Sequence, residues 1–261
     1  MSAATAAALE FSGAARRFDD GYLAIENIDL RVETGRFVSV VGPSGCGKST
    51  LLNLAAGLLA PTTGTVRVFG ETLAGLNTRA GYLFQQDALL PWKTVLENVM
   101  LGPAFRSLDA SEEAKRWIER VGLRGFDDRY PAQLSGGMRK RVALAQTWIA
   151  NPDIVLMDEP FSALDVHTRV RMEGEVLKLW AGSGKTVLFV THDLEEAIAL
   201  GDEVLVLSAG PAAHLVARFE VDLPRPRPLL DIRTEPRFHQ LYAQVWTALR
   251  EEVMRSHERQ L

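Results

Sequence analysis

The amino-acid sequence predicts an α/β fold: a parallel β-sheet core with an antiparallel β subdomain and an inserted α-helical subdomain. Four short apolar runs have the length and composition of buried strands, and helical spacing separates the later ones, as parallel pairing requires. These runs are residues 37–41, 153–157, 186–191 and 203–208. Two earlier segments, residues 28–32 and 65–69, alternate apolar with polar side chains, which is typical of half-exposed antiparallel strands.

The helical subdomain is predicted at residues 91–150, where no strand pattern occurs. Residues 111–121 and 138–150 both have helical spacing. The core then consists of residues 1–90 and 151–222. Residues 223–261 are predicted to be a proline-rich linker followed by a helix at 237–255, because a segment with alternating prolines is not helical throughout.

Composition restricts the function classes. The 261 residues are 47% hydrophobic and have a formal net charge of −4, which favours a sizeable core and argues against a nucleic-acid partner. Cys46 is the only cysteine, so no internal disulfide forms and a reducing compartment fits. The N-terminus lacks the pattern of a secretory signal, and no apolar run approaches the roughly 18–20 residues of a membrane helix. We therefore expect a soluble protein that reaches a membrane only through a partner.

A glycine-rich turn connects the first buried run to a helical pattern at residues 48–58. It fits the phosphate-binding pattern G-x-x-x-x-G-K-S and predicts a P-loop NTPase core of the RecA-like kind. Its glycines let backbone N–H groups surround phosphate oxygens, and the helix adds its positive dipole end. Lys48 is expected to reach the β- and γ-phosphates, and the Ser49 hydroxyl to bind Mg²⁺. The predicted nucleotide-binding residues are Gly42, Pro43, Ser44, Gly45, Cys46, Gly47, Lys48, Ser49 and Thr50.

The second buried run ends in two carboxylates, Asp158 and Glu159. An acidic residue at the end of a neighbouring strand is the usual Mg²⁺ partner of a phosphate loop, which assigns Asp158 to the metal. Side chains alternate at a strand end, so Glu159 points elsewhere. This position suits a carboxylate that polarises the attacking water.

A short segment narrows the class of P-loop protein. Leu134, Ser135, Gly136, Gly137 and Met138 precede the helical pattern at 138–150, and this segment is called the signature loop below. It resembles the Leu-Ser-Gly-Gly-Gln signature of the ATP-binding subunits of ABC transporters, with Met138 in place of glutamine. The resemblance extends from about residue 9 to 216, and its motifs occur in the family's order. It implies ATP as substrate, Mg²⁺ as cofactor and ATP hydrolysis as the activity.

The residue types of the signature loop also indicate a binding function without the resemblance. Ser135, Gly136 and Gly137 form a helix N-terminus with free N–H groups and a hydroxyl, which is an anion site. The resemblance implies that two chains pack head to tail, so that each signature loop covers the γ-phosphate held by the partner. The partner is then a second copy of this chain or a homologous ATPase subunit.

Further residues are assigned by the same resemblance. Gln85 matches the glutamine that touches Mg²⁺ and links the core to the helical subdomain, and His192 matches the histidine that senses the γ-phosphate. Residues 162–165 resemble the loop that meets the partner subunit. Phe18 is favoured as the ring that stacks on adenine, and Tyr22 remains the alternative because spacing leaves both open.

Residues 89–92, Leu-Leu-Pro-Trp, follow Gln85 closely and resemble the nitrate, sulfonate and taurine importer group. That group implies integral-membrane permease subunits, an extracytoplasmic solute-binding protein and a location on the cytoplasmic face of the inner membrane. The segment is interpreted as a socket for the permease, with ordinary subdomain core as the alternative. The cargo does not touch this subunit.

Two rival functions remain at this stage. A soluble ABC-type ATPase acting on DNA or ribosomes would carry a long coiled-coil insertion or a second cassette, and this sequence has neither. A P-loop kinase would not need the signature loop and would need an acceptor pocket that the sequence does not reveal.

Because Cys46 lies in the phosphate loop, we also expect a bulky thiol reagent to block nucleotide binding.

Overall fold

Ten strands and seven α-helices form the described part of the chain, which is residues 7–101 and 110–258 of a computed structural model. The strands are β1 (Ala7–Arg17), β2 (Leu23–Glu33), β3 (Phe37–Val41), β4 (Thr63–Val68), β5 (Glu71–Thr72), β6 (Ala80–Leu83), β7 (Ile154–Asp158), β8 (Thr186–Val190), β9 (Glu203–Leu207) and β10 (Leu215–Glu220). The helices are α1 (Lys48–Ala55), α2 (Val95–Val99), α3 (Ala110–Arg120), α4 (Gly136–Ile149), α5 (Val166–Trp180), α6 (Leu194–Leu200) and α7 (Pro236–Glu258).

The core is a six-stranded sheet in the order β10-β9-β3-β8-β7-β6. All its pairings are parallel except that of β10 with β9. Strands β3, β8 and β9 are buried along their whole length because helices cover both faces of the sheet. The four predicted buried strands are confirmed, and β10 is an antiparallel edge strand that the sequence analysis missed.

The second sheet has the order β2-β1-β4-β5 and is antiparallel. The two predicted alternating segments lie in β2 and β4, but they do not pair with each other, because β1 lies between them. Strand β1 was not predicted. Its alanine-rich sequence has low β-propensity and its register shifts repeatedly, so apolar residues do not alternate along it.

Between residues 91 and 150, the described part contains helices and no strand. Helices α2, α3 and α4 enclose a small apolar core of their own that includes Val95, Ile118, Val142 and Ile149. Helix α4 starts at Gly136 directly after Ser135, whose side chain accepts a hydrogen bond from Met138 N–H at 3.3 Å. The fold therefore presents the signature loop at the N-terminus of a long helix.

The segment after β10 packs back onto the core. Leu223, Arg227 and Leu229 are buried, and Arg227 Nη1 donates to the carbonyls of Ile198, Ala199 and Gly201 at the C-terminal end of α6. The predicted final helix is confirmed as α7. None of the helices formed by residues 7–101 and 110–258 combines the length and the apolar character needed to cross a bilayer.

Candidate active site

The phosphate loop, residues 42–50, connects the C-terminal end of β3 to α1. Gly47 precedes the first helical residue with φ of 95°, a left-handed conformation that favours glycine. No side chain caps this end of α1 and no acidic residue lies in its first turn. The helix N-terminus is therefore suited to an anion.

The back of the loop is closely packed. A Cβ atom on Gly42 would lie 2.7 Å from Cys46 Sγ and 3.1 Å from the carbonyl oxygen of Leu207, so only glycine fits there. Cys46 is completely buried, and burial raises the pKa of its thiol. The thiol therefore faces the core and not the ligand side, so its burial opposes attack by a bulky reagent in the folded chain; block of nucleotide binding by such a reagent stays a prediction.

Lys48 lies in the same loop with only 6% of its surface exposed. Its Nζ donates to the carbonyl oxygens of Gly42 at 2.9 Å and Pro43 at 3.0 Å. These two bonds hold the ammonium inside the curve of the loop. An ammonium has three donors, so one remains for a ligand.

A cavity of about 320 Å³ opens in front of the loop. Its lining combines most of the phosphate loop with residues from three other segments: Tyr22, Ala24, Ser44, Gly45, Gly47, Lys48, Ser49, Thr50, Gln85 and Glu159. The polar lining and the helix N-terminus fit the phosphates of a nucleotide. Of the predicted loop residues, Gly42, Pro43 and Cys46 lie behind this surface.

The two candidate adenine-stacking rings occupy different positions relative to this cavity. Tyr22 lines it, is 43% exposed and approaches the carbonyl oxygen of Gly45 to 3.4 Å through its hydroxyl. Phe18 is not part of the lining, and its ring stacks on Tyr22 with centroids 6.5 Å apart. Stacking of adenine by either ring stays a prediction.

Oxygen donors suited to Mg²⁺ meet at the edge of the cavity. The Asp158 carboxylate is hydrogen-bonded by the Ser49 side chain, and the Tyr82 hydroxyl lies 3.4 Å from Asp158 Oδ2. Burial raises the pKa of Asp158, and the hydrogen bond with Ser49 opposes that rise. A half-buried carboxylate beside a serine hydroxyl is a donor set that fits Mg²⁺.

Glu159 follows β7 and turns away from Asp158, as predicted. Its backbone has φ of 41°, and its N–H donates to the carbonyl of Val190 at 2.9 Å. Its Oε2 lies 2.9 Å from His192 Nδ1. Glu159 lines the cavity, and the structure joins two of the three predicted catalytic side chains, Glu159 and His192, in one hydrogen-bonded pair.

Gln85 follows β6 and also lines the cavity. Its Nε2 lies 3.4 Å from the Ser162 hydroxyl, which in turn donates to the carbonyl of Glu159 at 3.0 Å. The segment that carries Gln85 is therefore connected to the segment that follows Glu159.

A lysine that the sequence analysis did not single out holds the Gln85 segment from the other side. Lys140 of α4 is 2% exposed, and its Nζ donates to the carbonyls of Phe84 and Gln85 and pairs with Asp87 at 3.2 Å. Arg139 pairs with the same carboxylate at 3.1 Å. Burial lowers the pKa of Lys140, and Asp87 opposes that change. The sequence feature that could have pointed to Lys140 is the run of three basic residues at 139–141, but the run does not show which of them points inward.

The signature loop lies apart from this cavity. Ser135 and Gly136 are exposed, and neither they nor Gly137 belong to the cavity lining. A Cβ atom on Gly137 would lie 2.7 Å from Thr168 Cγ2 of α5, whereas one on Gly136 would meet only Arg139 at 3.8 Å. The chain thus carries two separate anion-type helix N-termini, one within the cavity and one on the surface.

Comparison with known proteins agrees with this geometry. The ABC transporter family model matches residues 25–162. The taurine import ATP-binding protein of Roseobacter denitrificans is 39% identical over 244 residues, which cover 90% of this chain and 91% of that protein. An uncharacterised ABC transporter ATP-binding protein of Methanocaldococcus jannaschii is 46% identical over 236 residues, with coverage of 89% and 86%.

A solved structure resembles the fold over most of the chain. It is a dimeric ATP-binding cassette in a post-hydrolysis state, bound to ADP and Pi, with a TM-score of 0.73 and 32% identity, covering 83% of this chain and 100% of that one. The family model spans more than half of the chain. The phosphate loop, Gln85 and Glu159, which it covers, meet around one cavity, and the signature loop, which it also covers, lies on the surface. The chain therefore belongs to the ABC transporter family, in which it is an ATP-hydrolysing ATP-binding subunit.

Proposed function

We propose that this subunit powers import of a small solute through a separate permease, by closing head to tail onto a second ATPase subunit when ATP binds. The position of the signature loop is the observation that supports the proposed dimer. Ser135 and Gly136 are exposed and absent from the cavity that Lys48 lines. A second chain would supply the missing donors.

The chemistry follows from the residues around the cavity. Lys48 and the N-terminus of α1 bind the phosphates, and Ser49, Asp158 and Gln85 would hold Mg²⁺. When bound, Mg²⁺ neutralises charge on the phosphate oxygens.

Glu159 orients the attacking water and draws its proton away. The hydrogen bond to His192 at 2.9 Å fixes the direction of the carboxylate, in the tautomer with the proton on Nδ1. A hydrogen bond from the other ring nitrogen to a γ-phosphate oxygen needs a proton on Nε2 as well, so that both nitrogens of His192 donate.

The permease would dock beside Gln85. Asn98 is fully buried and holds residues 90–94 through four hydrogen bonds: it accepts from Leu90 N–H, and its Nδ2 donates to the carbonyls of Leu90, Lys93 and Thr94. This rigid loop presents Trp92, which is 70% exposed. A groove of about 330 Å³ is lined by Phe84, Asp87 and Leu101 among others, so it includes residues that directly precede this segment in the chain. An exposed tryptophan and a groove formed by the preceding residues suit an inserted helix of a membrane partner.

The proposed direction of transport and the proposed class of solute are based on the similar proteins. Proteins named for taurine import match this chain across most of its length. We infer a solute of the nitrate, sulfonate or taurine class, delivered by an extracytoplasmic binding protein, with this subunit on the cytoplasmic face of the inner membrane.

The dimer is tested with Glu159→Gln. We expect this variant to bind MgATP, to hydrolyse it about 10²–10⁴-fold more slowly, and to sediment as a dimer with ATP and as a monomer with ADP. Glutamine keeps the shape of the side chain but lacks its charge and basicity. Adding Gly136→Asp should abolish dimerisation and leave binding to the monomer unchanged, because that site has room for a side chain. A monomer at every ATP concentration would refute the head-to-tail closure.

The transport role is tested separately by affinity purification of the tagged chain from detergent-solubilised membranes of its own host. A multi-span permease should co-purify in stoichiometric amount. Recovery of the chain without a membrane protein would favour the alternative, an ABC-type ATPase that is not coupled to transport.

A further inference from the structure

The connection between β9 and β10, residues 208–214, forms a closed loop that we call the backing loop. Ser208 N–H donates to the carbonyl of His214 at 2.9 Å, and His214 N–H donates to the Ser208 hydroxyl at 3.0 Å. Ser208 and Ala209 are both buried. The ends of the loop are therefore fixed to each other.

The backing loop touches the rear of the phosphate loop. A Cβ atom on Gly210 would lie 3.2 Å from the carbonyl oxygen of Gly45, 3.5 Å from Cys46 Cα and 3.5 Å from the Tyr22 hydroxyl. The preceding Leu207 packs equally tightly against Gly42. The phosphate loop thus rests on the backbone of residues 207–210.

The backing loop also supports a second wall of the cavity. Ala212 N–H donates to the carbonyl of Leu23 at 2.6 Å, and Ala213 N–H donates to that of Ala24 at 3.1 Å. Tyr22 and Ala24, which line the cavity, belong to that segment. A shift of the backing loop would therefore move both walls.

A carboxylate of the C-terminal helix holds the backing loop from outside. Glu252 of α7 is 4% exposed, and its Oε2 accepts a hydrogen bond from Ala209 N–H at 2.9 Å. Its Oε1 pairs with Arg255 Nη1 at 2.5 Å, one turn further along the helix. Hydrogen bonds to a charged acceptor are the strong ones, and they are stronger still when they are sheltered from water.

We propose that Glu252 is a positioning residue for nucleotide binding, and that the C-terminal helix sets ATP affinity through it. Glu252 fixes Ala209, Ala209 places Gly210, and Gly210 supports Gly45 and Tyr22. Glu252 does not line the cavity, so it acts on the geometry of the cavity walls and leaves the hydrolysis step unchanged.

The test uses the full chain with Glu252→Ala, which removes the acceptor, and Glu252→Gln, which keeps a neutral one. We expect Glu252→Ala to raise the ADP dissociation constant and the KM for ATP by about three- to tenfold, with kcat changed less than twofold. Glu252→Gln should restore most of the affinity. Hydrogen exchange of peptides covering residues 42–50 should be faster in Glu252→Ala.

Two controls separate positioning from general loss of stability. Glu251→Ala alters an exposed neighbour on α7 and should change nothing. Val245→Ala truncates a fully buried residue of α7, so it should lower Tm and leave KM unchanged. If Glu252→Ala lowers Tm without raising KM, or if Val245→Ala raises KM to the same extent, the proposal is overturned.

Discussion

Glu196 gives the sharpest physical prediction, because the chain buries its carboxyl group and its ion pair with Arg169 is a long one. The side chain is 3% exposed on α6, directly behind the strand end that carries His192. Its Oε2 accepts from the Thr191 hydroxyl at 2.6 Å, and its Oε1 is 3.6 Å from Arg169 Nε. Burial raises the pKa of Glu196 from 4.5 to about 7; Asp193 and Glu173 add to the rise, and Thr191 and Arg169 oppose it.

The sign of the pH effect follows from this direction. The pKa of Glu196 is higher in the folded chain, so the folded state binds the proton more tightly than the unfolded state. The resulting stabilisation is complete below about pH 4.5 and is lost as the pH rises through 7. A difference between 4.5 and about 7 corresponds to about 3 kcal/mol in the free energy of unfolding.

Glu196→Gln removes this titration and keeps the shape. We expect the variant to be more stable than the wild type at pH 8, with the advantage shrinking by about 2–3 kcal/mol on going to pH 5. The assay is urea unfolding followed by circular dichroism at several pH values. The quantity compared is the free energy of unfolding of the variant minus that of the wild type at the same pH. Glu195→Gln, whose side chain is 55% exposed, is the matched control and should show no such pH dependence. A difference that stays constant from pH 5 to pH 8 would refute the reasoning.

Two further predictions concern the permease socket and the cysteine. Trp92→Glu should abolish uptake by the assembled transporter and leave the ATPase rate of the lone subunit within twofold. The reason is that Trp92 is 70% exposed and lies outside the cavity. Uptake and ATPase rate are measured side by side, and an equal loss of the two would mean that Trp92 packs in the core. Cys46 should resist a bulky maleimide in the native chain and react fully in urea, followed by mass spectrometry. Rapid native labelling would show that the loop opens.

The sequence sufficed for the parts of the fold that have a strong local pattern. The buried strands, the phosphate loop and the final helix all have a period or a motif within a dozen residues. Strand β1 has neither, because its register shifts break the alternation of side chains. Its place between β2 and β4 depends on partners that are distant in the sequence.

The same limit applies to the site. The motifs predict which residues surround the phosphates, since each motif is local. They do not predict which atoms face the core: Cys46 lies inside the phosphate loop, yet its thiol is buried against Gly42. Contacts such as Lys140 with the carbonyl of Gln85, or Glu252 with Ala209 N–H, join segments separated by tens of residues. A single sequence does not show which atoms make these contacts.

The backbone at Glu159 shows why two adjacent carboxylates face different partners. Asp158 is the last residue of β7 and keeps the strand conformation, whereas Glu159 has φ of 41°, which a non-glycine residue adopts at a cost of the order of 1–3 kcal/mol. Local bonds offset this cost, since the Glu159 carbonyl accepts from both the N–H and the hydroxyl of Ser162. Glycine would adopt the turn without strain but would supply no carboxylate. The strain is therefore tolerated where the turned side chain meets His192, and the turn separates the carboxylate suited to the metal from the one suited to the water.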